Sequence, residues 1–174
     1  MVTKMQIYQA TVEQFKALWN NSNTKTYQYF LKGIKHHIIE FWTVEIDQKL
    51  IAELYIFWDS IDKDEANGID RAYLCAFRVK KDFQGQGIGS QLMQRVLSRI
   101  KEKGYKEVTI GIDNSEYGKL KRLYDKYGFT DLLKTTHIDY HYLDEQGKPM
   151  TYDEAFQIYI NRLDKKKNIS RRSS

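Results

Sequence analysis

Six consecutive residues, Gln84-Gly85-Gln86-Gly87-Ile88-Gly89, carry the clearest chemical signal in the chain. Glycine takes up positive φ and lets a ligand approach the main chain closely. Unpaired amides at a helix N-terminus bind phosphate well. Gly85, Gly87 and Gly89 lie between a strand pattern that ends at Val79 and an amphipathic helix pattern, a placement suited to cradling a pyrophosphate. Two other phosphate loops do not fit. A Walker loop ends in Gly-Lys-Ser/Thr, and no lysine precedes Ser90. A dinucleotide fold needs Gly-x-Gly-x-x-Gly directly after a strand, but here the third glycine falls on Ser90 and Lys80-Lys81-Asp82 intervenes. A glycine turn that merely caps a helix is the bland alternative.

The other reactive side chains are scattered. Cys75 sits between Leu74 and Ala76-Phe77 with no evident activating histidine, so it reads as a buried thiol. His137 and His141 are four apart on a strand pattern without a third ligand, and no metal site is expected. Residues 59–70 hold Asp59, Asp62, Asp64, Glu65 and Asp70 against one lysine. That charge would attract a cationic amine, unless the segment is only a solvated loop.

The elements that must position these groups follow from periodicity. Met5 to Tyr8 reads as a strand, and Thr11 with Gln14 forms a capping box before the helical stripe Val12, Phe15, Leu18, Trp19. A second helix is expected over Tyr27 to Ile34. Period two between Ile38 and Trp58, turning at Asp47-Gln48-Lys49, predicts an antiparallel hairpin. A strand over Arg71 to Val79 precedes the glycines. A helix then runs to about Lys103, followed by a strand at Val108–Ile112 and a helix from Ser115 to Tyr127 stopped by Gly128. Phe129 to Tyr142 holds one bent strand or two short ones. Thr151 and Glu154 look like the opening of a last helix with Tyr152, Ala155, Phe156, Tyr159, Ile160 and Leu163 on one face. A hairpin-rich first half joined to a βαβ second half predicts an α/β fold with one mixed sheet and helices on both faces.

Val79 to Gly89 follows the pattern Gln/Arg-x-x-Gly-x-Gly/Ala behind a strand and a short polar spacer, and it resembles motif A of the GNAT (Gcn5-related N-acetyltransferase) superfamily. Leu123-Tyr124-Asp125-Lys126-Tyr127-Gly128-Phe129 resembles its motif B, and the strand order is similar too. The resemblance spans roughly residues 3 to 143, with sharp motifs from Arg71 to Phe129. It implies a GNAT fold whose sheet splays at a bulge, acetyl-CoA as co-substrate and an amine acceptor. It assigns pantetheine contacts to the backbone of Phe77, Arg78 and Val79, and pyrophosphate contacts to the amides of Gln84, Gly85, Gln86, Gly87, Ile88, Gly89 and Ser90. It puts Tyr124 beside the sulfur, where a phenol can protonate the departing thiolate; the alternative is a tyrosine of the helix's core stripe. Asn114 either caps the next helix or bonds the pantetheine arm. The chain departs from the histone-acetylating branch at Arg71, where that branch has a glutamate. Glu53 or Asp70 relaying a proton through water, or an amine arriving deprotonated, takes that glutamate's place. Besides an N-acetyltransferase acting by direct attack, a non-catalytic acyl-CoA-binding module remains open.

Composition bounds these readings. With 174 residues, 41% hydrophobic, the chain is expected to form a single domain over residues 1–164. The net charge of +5 equals the contribution of Lys165, Lys166, Lys167, Arg171 and Arg172, which leaves residues 1–164 formally neutral and 165–174 as a basic flexible tail. No nucleic-acid partner is therefore expected. The longest apolar run, Ala72 to Phe77, is far short of a membrane span, and Met1 to Phe15 has no signal-like apolar segment. One cysteine excludes an internal disulfide and fits a reducing cytoplasm. The extra C-terminal helix is a candidate homodimer contact or packs over its own sheet.

Overall fold

Local signals begin the fold at both ends of its helices. In a computed structural model that describes residues 4–163, Gln14 N–H donates to Thr11 Oγ1 at 3.1 Å and Thr11 N–H to Gln14 Oε1 at 2.9 Å. This reciprocal cap opens α1 (Val12–Leu18) after strand β1 (Met5–Gln9). Helix α2 (Lys25–Lys35) starts earlier than its apolar stripe, because Thr24 Oγ1 accepts from Tyr27 N–H and supplies the cap. Strands β2 (Ile39–Ile46) and β3 (Lys49–Phe57) form the expected hairpin. Its turn residues Asp47 and Gln48 both take positive φ, 51° and 65°, matching the twist of a two-residue turn. Strand β4 (Arg71–Val79), α3 (Ile88–Glu102), β5 (Glu107–Ile112), α4 (Tyr117–Tyr127), β6 (Asp131–Leu143) and β7 (Pro149–Arg162) complete the chain.

The seven strands make one mixed sheet in the order β1-β2-β3-β4-β5-β7-β6, with only β4 and β5 parallel. Helices α3 and α4 cover one face, where Leu92, Met93, Val96 and Ile100 meet Val44, Leu54, Ile56, Leu74 and Val108. Helices α1 and α2 cover the other with an aromatic layer of Phe15, Phe30, Phe41, Tyr55, Phe57 and Tyr73. Each such side chain contributes about 1.5–3 kcal/mol on full burial.

The terminal helix expected from Thr151 onward is strand β7, paired antiparallel with β5 on one side and β6 on the other. Ile158, Tyr159, Ile160 and Asn161 are all buried, so both faces of this strand are covered and no period of two survives to mark it. Pairing on both edges outweighs a helical spacing of apolar residues that no local interaction enforces. The homodimer contact assigned to that helix loses its element. The basic stretch 165–174 lies outside the described residues.

Two features prepare the site. Parallel pairing of β4 with β5 runs only from Arg71↔Glu107 to Leu74↔Ile110, and the strands separate beyond it. On its other edge β4 carries a bulge, since Glu53 pairs with Arg78 and Tyr55 with Cys75, leaving Ala76 and Phe77 opposite Leu54 alone. Ala76 takes φ +55° there, a conformation that strains a residue with a Cβ.

Candidate active site

Where β4 and β5 part, a cavity of about 1360 Å³ opens. Cys75, Ala76, Phe77 and Arg78 form one wall, Gly111 to Ser115 the other, and Tyr124 of α4 also lines it. The β6–β7 hairpin closes the far end through Asp139, His141, Asp144, Glu145 and Glu154.

The glycine segment leads from β4 into α3. Gly85 and Gly87 have φ of 76° and 79°, and a Cβ on either would meet nothing within 4 Å. Glycine is needed there for backbone conformation and not for space. Gly89 is the reverse case: its φ is ordinary, but a Cβ would lie 3.2 Å from the Phe77 ring and 3.3 Å from Val79 Cγ2. It lets α3 close onto β4. The helical ladder starts with Gln91 N–H donating to Gly87 O at 3.1 Å, so the amides of Ile88, Gly89 and Ser90 lie before the first rung. Gln84 Nε2 bends back to Val79 O at 2.9 Å and Gln86 Nε2 to Asp82 O at 3.4 Å, while Gln84 through Gly87 remain exposed. Ile88 anchors the turn in the core. Ser90 Oγ shares a hydrogen bond of 2.8 Å with Tyr127 Oη, which leaves its amide as its contribution to the loop.

Tyr124 is buried, and burial, with Tyr127 and Glu116 nearby, pushes its phenol up to about 12. A phenol so held is fully protonated at neutral pH and can act only as a proton donor. Asn114 borders the cavity, but Asp113 is the residue that caps the following turn, accepting from Ser115 N–H at 2.9 Å. Asn114 Nδ2 donates to Ala155 O at 2.6 Å and ties the exit of β5 to β7.

Glu53 stands apart from Tyr124. It borders a second cavity of about 520 Å³ with Trp19, Arg78 and Val79. Its Oε1 accepts from Arg78 Nη1 at 2.9 Å and its Oε2 from Tyr55 Oη at 3.3 Å. Burial raises its carboxyl against the pull of Arg78. Asp70 accepts from Asn67 Nδ2 at 2.8 Å, inside a turn. Arg71 grips Glu107 Oε1 through Nε and Nη2 at 3.3 and 3.2 Å, so the position where the histone-acetylating branch has a glutamate is structural here.

The charge of the acidic loop is largely taken up by ion pairs, and only Glu65 reaches a residue that lines the cavity. Asp59 pairs with Lys63, Asp62 and Asp64 with Lys134, and Glu65 with His141. The cavity's carboxylates are Asp113 at the exit of β5 and Asp139, Asp144, Glu145 and Glu154 of the hairpin, of which only Glu154 lies on the strand expected as a helix. His137 and His141 do not converge, since four residues of strand span about 13 Å. Among the described residues no group of three or more His, Cys, Asp or Glu side chains could hold a metal ion, and no helix is long and apolar enough to cross a membrane.

Solved structures share this architecture. A GNAT family acetyltransferase from Elizabethkingia anophelis with acetyl-CoA bound matches at TM-score 0.61 and 22% identity, covering 91% of this chain and 98% of that one. A Salmonella typhimurium protein solved with acetyl-CoA matches at 0.65 and 14%, covering 92% and 95%. The ribosomal-protein-S18-alanine N-acetyltransferase of Escherichia coli matches at 0.64 and 15%, covering 91% and 93%. Among curated sequences, N-alpha-acetyltransferase MAK3 of Arabidopsis thaliana is 32% identical over 74 residues, which are 42% of this chain and only 37% of that protein's length. The family model described as the acetyltransferase (GNAT) family matches residues 4–129, from the first strand through the Gly128-Phe129 pair, and the chain belongs to that family.

Proposed function

We propose that this chain moves an acetyl group from acetyl-CoA to a primary amine by direct attack within a ternary complex. The observation that carries the reading is the parted end of β4 and β5, with Tyr124 on the cavity wall and the left-handed glycine turn leading from the end of β4 into α3. Backbone groups of Phe77, Arg78 and Val79 that β5 leaves unpaired suit the amides of a pantetheine arm, and Asn114 faces them from the opposite wall. The amides from Gln84 to Ser90 suit a pyrophosphate, and α3's dipole adds roughly 0.3–1 kcal/mol. The amine's lone pair forms the new C–N bond, the C–S bond breaks with its electrons passing to sulfur, and Tyr124 Oη–H supplies the thiol proton. Residues 1–164 are the one catalytic domain of this reading, with 165–174 outside it. The Arabidopsis thaliana and Escherichia coli proteins are both named for acetyl transfer to nitrogen, which supports an amine acceptor.

The test is thiol release from acetyl-CoA with a panel of amines, for wild type and Tyr124→Phe. Loss of the acid is expected to slow turnover about 10²–10⁴-fold with acetyl-CoA binding intact. Tight binding with no turnover of any amine by wild type would replace the enzyme with a non-catalytic acyl-CoA-binding module.

A further inference from the structure

The far end of the cavity contains a buried histidine with one nitrogen accounted for and one not. His141 Nε2 lies 3.0 Å from Glu65 Oε2, and both side chains are 4% exposed. Its Nδ1 is shielded from solvent and has no hydrogen-bond partner among the described residues. Buried polar atoms in folded proteins are nearly always paired, so such an atom at a cavity calls for an explanation. An ionised Glu65 can only accept, and facing it a neutral His141 ring carries its proton on Nε2 and its lone pair on Nδ1.

The pair is held firmly. Thr109 Oγ1 donates to Glu65 O at 2.7 Å, and His141 N–H donates to Asp139 Oδ1 at 2.9 Å. The imidazole stacks on Tyr73 with centroids 4.3 Å apart and meets Phe57 edge-on at 4.5 Å. Tyr73 precedes Leu74, the last residue of β4 paired to β5, so the ring packs next to the point where the sheet opens. Five carboxylates (Asp113 at the exit of β5 and Asp139, Asp144, Glu145 and Glu154 of the hairpin) border the same cavity against the cations Lys25 and Arg78, and none of the hairpin four forms an ion pair among the described residues. A lone pair without a donor, in surroundings of that sign, fits a cationic N–H group.

We infer that His141 receives the acceptor: its Nδ1 binds a cationic primary amine and takes the proton that must leave before the nitrogen can attack, with Glu65 fixing the ring and stabilising the imidazolium. This rests on the amine-acetylation reading. One proton passes from R–NH₃⁺ to Nδ1 and later to water. A second leaves the nitrogen after the C–N bond forms and restores the Tyr124 phenol that protonated the thiolate. The sum is one amide, one thiol and one released proton. The titratable groups around the ring are Glu65 from the loop, Tyr73 and Cys75 from β4, Tyr29 from α2 and Asp139 on its own strand. Burial raises Tyr73 and Cys75 well above their usual values and Tyr29 to about 12, so these three stay neutral and Glu65 and Asp139 are the charges it feels.

The experiment combines pH-dependent kcat/KM with ¹⁵N NMR of the histidine ring nitrogens, using spermidine, Nα-acetyl-lysine amide and a tetrapeptide with a free N-terminus as probes. His141→Gln keeps a donor for Glu65 and lacks Nδ1. It is expected to lower kcat/KM about 100-fold or more and to remove the acid limb of the profile, with acetyl-CoA affinity unchanged. Glu65→Gln, which keeps the hydrogen-bonding shape, is expected to move the acid limb to lower pH, an effect that a purely structural role does not produce. In wild type the NMR should show Nε2 protonated, Nδ1 bare and the Nδ1 resonance moved by an amine probe. A folded His141→Gln with wild-type rate and acid limb overturns the inference, and so does a proton resident on Nδ1 of the neutral ring. If wild type turns over no amine, the amine-acetylation reading fails on its own account. The NMR titration then decides the site: a shifted Nδ1 resonance retains it as an amine site, and an unmoved one overturns it.

Discussion

Gly87 and Gly89 are two residues apart in one motif, and the structure gives opposite reasons for each, so a matched pair of alanine variants tests the cradle. At Gly87 the backbone sits at φ 79° with no atom within 4 Å of an added Cβ. Alanine there meets no clash but carries left-handed strain of about 1–2 kcal/mol, partly offset by the lower entropy of its unfolded chain at about 0.4–1 kcal/mol. The net loss of about 1 kcal/mol corresponds to a Tm drop of roughly 2–4 °C for a chain of this size. Relief of that strain rotates the peptide units that aim the amides of Ile88 to Ser90. Each charge-assisted bond lost is worth about 1.5–3 kcal/mol, so acetyl-CoA Kd should rise at least about 10-fold. At Gly89 the Cβ points toward Phe77 and Val79, beneath the turn. Helix propensity then favours alanine by up to about 1 kcal/mol against a few tenths of an ångström of crowding, and Kd should change less than about 3-fold. Calorimetric titration with acetyl-CoA and thermal unfolding read both quantities. A Gly87→Ala variant that loses stability but binds normally, or a Gly89→Ala variant that binds worse than Gly87→Ala, refutes the assignment of the phosphates to these amides.

Three further outcomes follow from named groups. Cys75 borders the cavity half-buried, with burial foremost pushing its thiol well up, so Cys75→Ala should keep at least half of wild-type turnover and iodoacetamide should react slowly at pH 7.5; loss of activity would indicate a covalent acyl route. Glu40 accepts from Arg99 at 3.0 and 2.8 Å and from the indoles of Trp42 and Trp58 at 3.0 and 3.2 Å, and although burial opposes its charge these donors lower its carboxyl. Glu40→Ala should cost about 2–3 kcal/mol in denaturant unfolding at pH 7, less than for a fully buried pair because Arg99 is 30% exposed; the gap should close as pH falls from the unfolded carboxylate value, about 4.3, through the lowered folded one. Glu53, raised foremost by burial, is destabilised as pH rises and it ionises, so Glu53→Gln should be at least as stable as wild type at pH 7 and lower kcat/KM less than 10-fold; a loss near 100-fold would restore it as the base.

The half of the site proposed to hold the donor was legible because its signals are local. From Arg71 to Phe129 each element is adjacent in sequence to the next, and the φ required at Gly85 and Gly87 leaves its mark as glycine. Tyr124 could be placed from its distance to the Gly128-Phe129 pair. The end proposed to receive the acceptor was not legible, for equally physical reasons. His141 and Glu65 lie 76 positions apart and meet only because β6 is the outer strand beyond β7. In the sequence His141 has only His137 for company, a pair that lacks a third ligand and points to no chemistry. Asp113, not Asn114, makes the cap, a choice between neighbours that spacing cannot decide. Thr151 and Glu154 mimic a capping box but lie on a strand whose fate is decided by partners at residues 107–112 and 131–143.

That misread strand is also what permits the sheet to open. Past Leu74↔Ile110 the parallel ladder stops, yet β5 stays paired to β7 through Gly111↔Ile158 and Ile112↔Gln157. On the other side β4 stays paired to β3 through Glu53↔Arg78 and Ala52↔Val79, past the bulge at Ala76 and Phe77. Each strand therefore loses its partner along one edge only, and the groups so freed face each other across the cavity. Had residues 149–162 formed a helix, β5 beyond Ile110 would have no ladder on either side, and its backbone groups would lose their bonds with nothing to hold the gap apart. The same hairpin that keeps β5 paired beyond Ile110 carries His141 and four of the cavity's carboxylates to the far end of the gap. One strand insertion thus supports both the gap proposed for an amide-bearing arm and the groups proposed to meet the amine, which is why the two halves of the site cannot be read from the glycine motif alone.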